Sequence, residues 1–115
     1  MSDTTARIST HVLDTMRGEP APGIPVRLER KPDGGGWAVV AQGHTDADGR
    51  LRDWVPGDTW GAGDYRLVFA VAAYLGDEDA FFPEVTVAFR VREPDRHHHV
   101  PLLLSPYGYT TYRGS

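Results

Sequence analysis

Glu84-Val85-Thr86-Val87-Ala88-Phe89-Arg90-Val91-Arg92 is the most regular stretch of the chain, with Val85, Val87, Phe89 and Val91 on one face and Glu84, Thr86, Arg90 and Arg92 on the other. Successive side chains of an extended strand point to opposite faces, so this period of two marks a strand with one face in a core and the other in water. The same period runs outward from it. Upstream, Tyr65, Leu67, Phe69 and Val71 form a second apolar face, and Trp37, Val39 and Ala41 a third. The pattern predicts eight strands, near Arg7–Asp14, Ile24–Lys31, Trp37–His44, Leu51–Trp54, Asp64–Val71, Glu84–Arg92, His97–Ser105 and Tyr109–Arg113. Clusters of turn residues separate them: Gly18 to Gly23, Pro32 to Gly36, Asp48 with Gly49, and Pro56 to Asp58. Ala72–Asp79 lacks turn chemistry until Gly76 and accommodates one short helix.

Eight strands in 115 residues fit an all-β, antiparallel two-sheet sandwich, read as a single domain over residues 1–115 with residues 1–6 flexible. No repeat of 20 to 50 residues divides the chain. With no cysteine, disulfides, thiolate metal sites and a thiol nucleophile are all excluded. No window approaches the roughly 20 apolar residues that cross a bilayer, and the first ten residues lack a signal-peptide core, so a soluble, cytoplasmic protein with no membrane partner is expected. The net charge is −4 and the cations are scattered, which argues against nucleic acid as a partner. A core only two layers thick leaves little room for a deep cavity, so a ligand would sit in a surface cleft or in a groove shared between subunits.

Five histidines give the first sign of chemistry. His97 and His99 share a strand face while His98 points the other way, so at most two of the three meet one site. An ordinary explanation for three adjacent histidines is a solvated strand end or the remnant of a tag. A run followed at once by Val100-Pro101-Leu102-Leu103-Leu104 is badly placed for a tag. His11 shares its face with Ser9 and Leu13, and that leucine is apolar where the face should be wet. Leu102 and Leu104 lie on one face of the seventh run and Leu103 on the other, so neither face is polar. Both anomalous strands carry histidine, which points to one covered, His-lined interface.

Ser9-Thr10-His11-Val12-Leu13-Asp14 with Gly18, Pro20 and Ala21, then Thr45-Asp46-Ala47-Asp48-Gly49-Arg50, then His99 through Ser115 carry a resemblance to the transthyretin-like 5-hydroxyisourate hydrolases. The most specific part is the closing Tyr112-Arg113-Gly114-Ser115. Transthyretin itself, a hormone carrier of the same fold, is similar in the first strand but does not end this way. The resemblance implies a homotetramer, a dimer of dimers, with active sites in clefts where two dimers meet. It also implies a catalytic set of His11, Arg50, His99 and Ser115, with Tyr112, Arg113 and Gly114 binding substrate, and neither metal nor other cofactor. The chain departs from the family at His98, where tyrosine is usual, and tuning rather than loss of activity is expected there.

The implied reaction is hydrolytic opening of a ring amide in 5-hydroxyisourate, giving 2-oxo-4-hydroxy-4-carboxy-5-ureidoimidazoline. Activating water near neutral pH calls for a base such as histidine, and the charge developing on the attacked carbonyl calls for a fixed donor such as the Arg50 fork. The sequence does not choose between His11 and His99 as base. No nucleophile-elbow motif surrounds Ser115, so it reads as an orienting hydroxyl. Asp14 and Asp46 read as turn residues and His44 as a surface residue. Two other functions compete: a non-catalytic carrier of small aromatic ligands, which has no need of a neutral-pH base, and a zinc hydrolase using His11, His97 and His99, for which two ligands at i and i+2 with a third far away is a weak signal.

Overall fold

The structure is a computed structural model that describes residues 5–115. Two sheets face each other. The first contains β1 (Ile8–Asp14), β2 (Glu19–Pro20), β5 (Arg50–Leu51), β8 (His98–Ser105) and β9 (Gly108–Thr111), and the second contains β3 (Pro25–Lys31), β4 (Ala38–His44), β6 (Gly63–Phe69) and β7 (Val85–Val91). Strand order is β2-β1-β8-β9 in the first, with β5 also paired to β1, and β4-β3-β6-β7 in the second. One four-residue helix, α1 (Ala72–Leu75), lies between β6 and β7. The inward rows of both sheets meet in one core, where Val12, Leu28, Tyr65, Leu67, Phe69, Val85, Leu102 and Leu104 are almost fully covered. At the usual ~25 cal/mol per Å² of apolar surface, this shared burial is the main force holding the two sheets together.

Four details depart from the sequence expectation. First, β1 and β8 run parallel, whereas every other strand pair is antiparallel. Second, the strand expected at Leu51–Trp54 is only the two-residue β5, because Asp53 takes a φ of 55° and turns the chain out of extension. Third, Trp37 and Val39 are not on the core face. A bulge shifts the β3–β4 register from Leu28↔Ala41 to Glu29↔Val39, so Val39 opposes the outward Glu29 and is exposed. Trp37 instead lies over the Arg66 guanidinium at 4.5 Å. Fourth, the expected flexibility of residues 1–6 does not extend to its last two members: Thr5 bridges Pro56, and Ala6 is buried with its N–H on the Val55 carbonyl. The rest of that expectation falls on Met1 to Thr4, outside the described residues.

Candidate active site

The central pair β1 and β8 builds the site. Their register sets Ser9 beside His99, His11 beside Pro101 and Leu13 beside Leu103. These six residues form the outward face of the first sheet, because Ile8, Thr10, Val12, Val100, Leu102 and Leu104 turn into the core. β5 adds Arg50 directly opposite His11. The turn before β5 is tightly specified. Asp46 accepts the N–H groups of Asp48 and Arg50, and these bonds, first that from Arg50, hold its carboxyl below the usual range. Gly49 follows with a φ of +74°, and a side chain there would run into the Val12 carbonyl. Among the described residues, nothing hydrogen-bonds or ion-pairs with the Arg50 guanidinium.

The two histidines are held differently. His11 Nε2 lies 2.9 Å from the Asp48 carbonyl oxygen, so that nitrogen is a donor. His99 Nδ1 lies 2.8 Å from Ser9 Oγ, which is also 2.8 Å from His97 Nε2. His99 Nε2 has no partner among the described residues. Burial pushes the His99 pKa down, and the positive charge of His97, Arg50 and His11 pushes it further in the same direction. At neutral pH His99 is therefore an uncharged ring with an unengaged nitrogen. His98 points inward, as its position in the strand requires. It is buried, donates from Nδ1 to the Arg96 carbonyl at 2.7 Å, and meets the Trp60 ring edge to face at 5.6 Å. Burial lowers its pKa too.

The chain end folds back over this face. Beyond β9, the Gly114 N–H donates to the His99 carbonyl at 2.8 Å, and a Cβ on Gly114 would sit 2.5 Å from His99 Cδ2. Continuing the β8–β9 register places Tyr112 beside Pro101, on the outer face with His11, and Arg113 beside Val100. Arg113 accordingly lines the cleft of about 220 Å³ between the sheets, with Val87, Phe89 and His98. Of the tail residues singled out in the sequence, Tyr112 and Gly114 accompany His99, Arg113 turns away from it, and the exposed Ser115 follows in register toward His98 rather than His99. Asp14 and Asp46 serve turns, with Asp14 accepting the Met16 and Arg17 amides, and His44 is exposed on the other sheet. Among the described residues, no group of three or more His, Cys, Asp or Glu converges on a metal position.

Sequence reasoning passed over two participants, Ser9 and the Asp48 carbonyl, and weighed His97 only as a zinc ligand. Ser9 had a readable signal, since it lies two residues before His11 on the same strand face. A backbone carbonyl leaves none. The face as a whole offers an uncharged imidazole, a fixed imidazole donor and an unpaired guanidinium within an apolar rim of Leu13, Pro101 and Leu103. That combination can activate water and stabilise an oxyanion. A roomier groove, about 780 Å³ and lined by Arg30, Lys31, Asp64 and Arg90, lies at an end of the second sheet and touches none of these groups.

Residues 8–114 match the model of the HIUase/Transthyretin family. The 5-hydroxyisourate hydrolase of Salmonella typhimurium is 48% identical over 110 residues, covering 94% of this chain and 80% of the relative. Sea bream transthyretin, solved in complex with thyroxine, superposes with a TM-score of 0.87 at 32% identity, covering 94% of both chains. The structure of Klebsiella pneumoniae 5-hydroxyisourate hydrolase gives a TM-score of 0.78 at 33% identity, covering 94% of this chain and 98% of that one.

Proposed function

This chain belongs to the HIUase/Transthyretin family, and on that premise we propose that it is an enzyme hydrolysing 5-hydroxyisourate by a metal-independent opening of a cyclic amide. Shape alone does not separate hydrolase from carrier, because a transthyretin and a hydrolase both superpose on the chain. The observation that carries the reading is His99: its Nδ1 is held by Ser9, its Nε2 is unengaged, and it shares one sheet face with His11 and Arg50. A carrier has no use for a base held uncharged at neutral pH.

In this mechanism His99 Nε2 takes a proton from water as the oxygen attacks the ring carbonyl. The Arg50 fork stabilises the resulting oxyanion. The ring C–N bond then breaks, the departing nitrogen takes the proton from the His99 imidazolium, and a carboxylic acid remains that ionises at neutral pH. His11, with Nε2 fixed on the Asp48 carbonyl, orients water or substrate, and this engagement favours His99 as the base. Ser115 and Tyr112 orient the purine-like ring. The open face gains its second wall from another copy of the chain, in a homotetramer.

The deciding experiment generates 5-hydroxyisourate in place from urate with urate oxidase and follows its ultraviolet decay with this protein added. Acceleration over spontaneous decay is expected, unaffected by dialysis against a strong chelator. Replacing His11, Arg50 or His99 with Ala should slow it by roughly 10² to 10⁴ fold with the fold retained. Decay at the spontaneous rate would favour the carrier reading, and activity lost to chelation and restored by zinc would favour a metal hydrolase.

A further inference from the structure

The Ser9 hydroxyl lies 2.8 Å from two imidazole nitrogens at once, His97 Nε2 and His99 Nδ1. A hydroxyl has a single proton to donate, so it can donate to only one of the two rings. Ser9 is 7% exposed and its hydroxyl has no third partner among the described residues. Its proton therefore points at one ring and the other ring donates to its oxygen. The two arrangements are chemically opposite. If Ser9 donates to His97, His99 must carry its proton on Nδ1, and Nε2 is left with a lone pair. If Ser9 donates to His99, that ring carries its proton on Nε2 and has no base there.

We propose that Ser9 and His97 are positioning residues that select the base-competent tautomer of His99, the direction of one hydroxyl proton being set by His97. The inference rests on the hydrolytic reading and on His99 as its base. A neutral His97 with an open Nε2 draws the Ser9 proton toward itself and fixes His99 as the Nδ1–H tautomer. A protonated His97 must donate from Nε2, which turns the Ser9 proton onto His99 and closes off the base. The surroundings bear on that switch from both sides. Arg50 places its charge beside His99, while Arg7, Arg52 and Asp53 line the small cleft beside His97. His97 is itself exposed, so it can exchange protons with solvent while Ser9 beneath it cannot.

The test uses the full chain with 15N-labelled histidine, because ring nitrogen shifts distinguish the two tautomers. At pH 8 His99 is expected as the Nδ1–H form. In His97→Ala, where Nδ1 of His99 is the remaining ring acceptor for Ser9, it should convert to the Nε2–H form, and kcat/KM should fall roughly 10²-fold, the lower end of what acid–base catalysis contributes. In a Ser9→Ala background the same His97 replacement should change neither readout further. A purely electrostatic influence of His97 would survive the loss of Ser9, and that result overturns the proposal. So does an Nε2–H form of His99 in the unaltered protein at pH 8. His97 is exposed, so His97→Ala keeps the tautomer measurement decisive even if Ser9→Ala does not fold. A protein whose His99 tautomer follows His97 but which fails to hydrolyse substrate supports the selection and removes the reaction it serves. Turnover with a tautomer indifferent to His97 removes the selection alone.

Discussion

Gly114 is the residue where the chain end packs most closely on His99, the proposed base. Its amide is tied to the His99 carbonyl, and its missing side chain leaves the space that the His99 ring fills. Gly114→Ala puts a methyl group 2.5 Å from His99 Cδ2, so either ring or tail must shift. A displacement of about 1 Å at a catalytic group can reduce rate about 10²-fold. We expect that loss in kcat/KM by ultraviolet assay with an unchanged unfolding midpoint by calorimetry, and unaltered turnover would mean the tail yields freely. The histidines also set a pH dependence for folding. His98 and His99 have folded pKa values below their unfolded ones, so the unfolded chain takes up protons first as pH falls. Their contribution is full above about pH 6.5, the unperturbed value, and drains away below it. Asp14 is also lowered, since burial, which would raise it, is outweighed by the Tyr74 hydroxyl and the Arg17 and Met16 amides. Glu29 is lowered by Arg27 first and by Arg66 as well, so these two carboxylates lose their contribution only at more acidic pH. Urea unfolding midpoints should therefore drop in two separate steps from pH 8 downward, and His98→Phe should shrink the first. A flat midpoint between pH 8 and 5.5 would contradict it.

At the scale of elements, alternation was enough to find the long strands, since burial on one face acts on every second residue, while the two-residue β2 lies unread within the turn cluster from Gly18 to Gly23. β7 lies where Val85 to Val91 put it, and β6 follows Tyr65 to Phe69 but stops short of Val71, which instead caps α1. The sequence was silent where a backbone event intervenes: the bulge that turns Val39 outward, the left-handed Asp53 that cuts β5 short, and the parallel pairing of β1 with β8, which depends on non-local order. The site followed the same division. Strand parity brought His11 and His99 to one face and sent His98 inward, whereas the double contact of Ser9 needs the β1–β8 register, which no local pattern encodes. The tail is an element of this kind, a continuation of β9 held by one bridge between His99 and Gly114. Terminal residues usually tolerate deletion. Here, removing Tyr112 to Ser115 takes away the cover of His99, and turnover should nearly vanish while the β8–β9 pairing from Leu102 to Ser105 persists. Circular dichroism and the ultraviolet assay on the same preparation check it, and full activity in a folded truncated protein would redraw the site around His11, Arg50 and His99.

For the molecule as a whole, the question is what covers the outer face of the first sheet. Leu13 and Leu103 stand side by side on it, only half-buried by their own chain, one row beyond His11 and Pro101 on the side away from His99. Exposed aromatics gather near the free edge of β9: Phe82 meets Tyr109 at 5.4 Å and Phe81 meets Phe82 at 4.9 Å. Soluble monomers seldom present clustered apolar groups on two surfaces, and two distinct self-complementary patches are what a dimer of dimers requires. Sedimentation should therefore report a tetramer. Leu103→Arg places a charge on the outer face while leaving the inward Leu102 and Leu104 untouched, so it should split the assembly into dimers without unfolding the chain. Because His11, Arg50 and His99 occupy that same face, turnover should fall along with the loss of tetramer, and raising protein concentration should recover both together. Activity of the dimer equal to that of the tetramer would show that a single chain's open face suffices, and the second wall would have to be dropped from the mechanism.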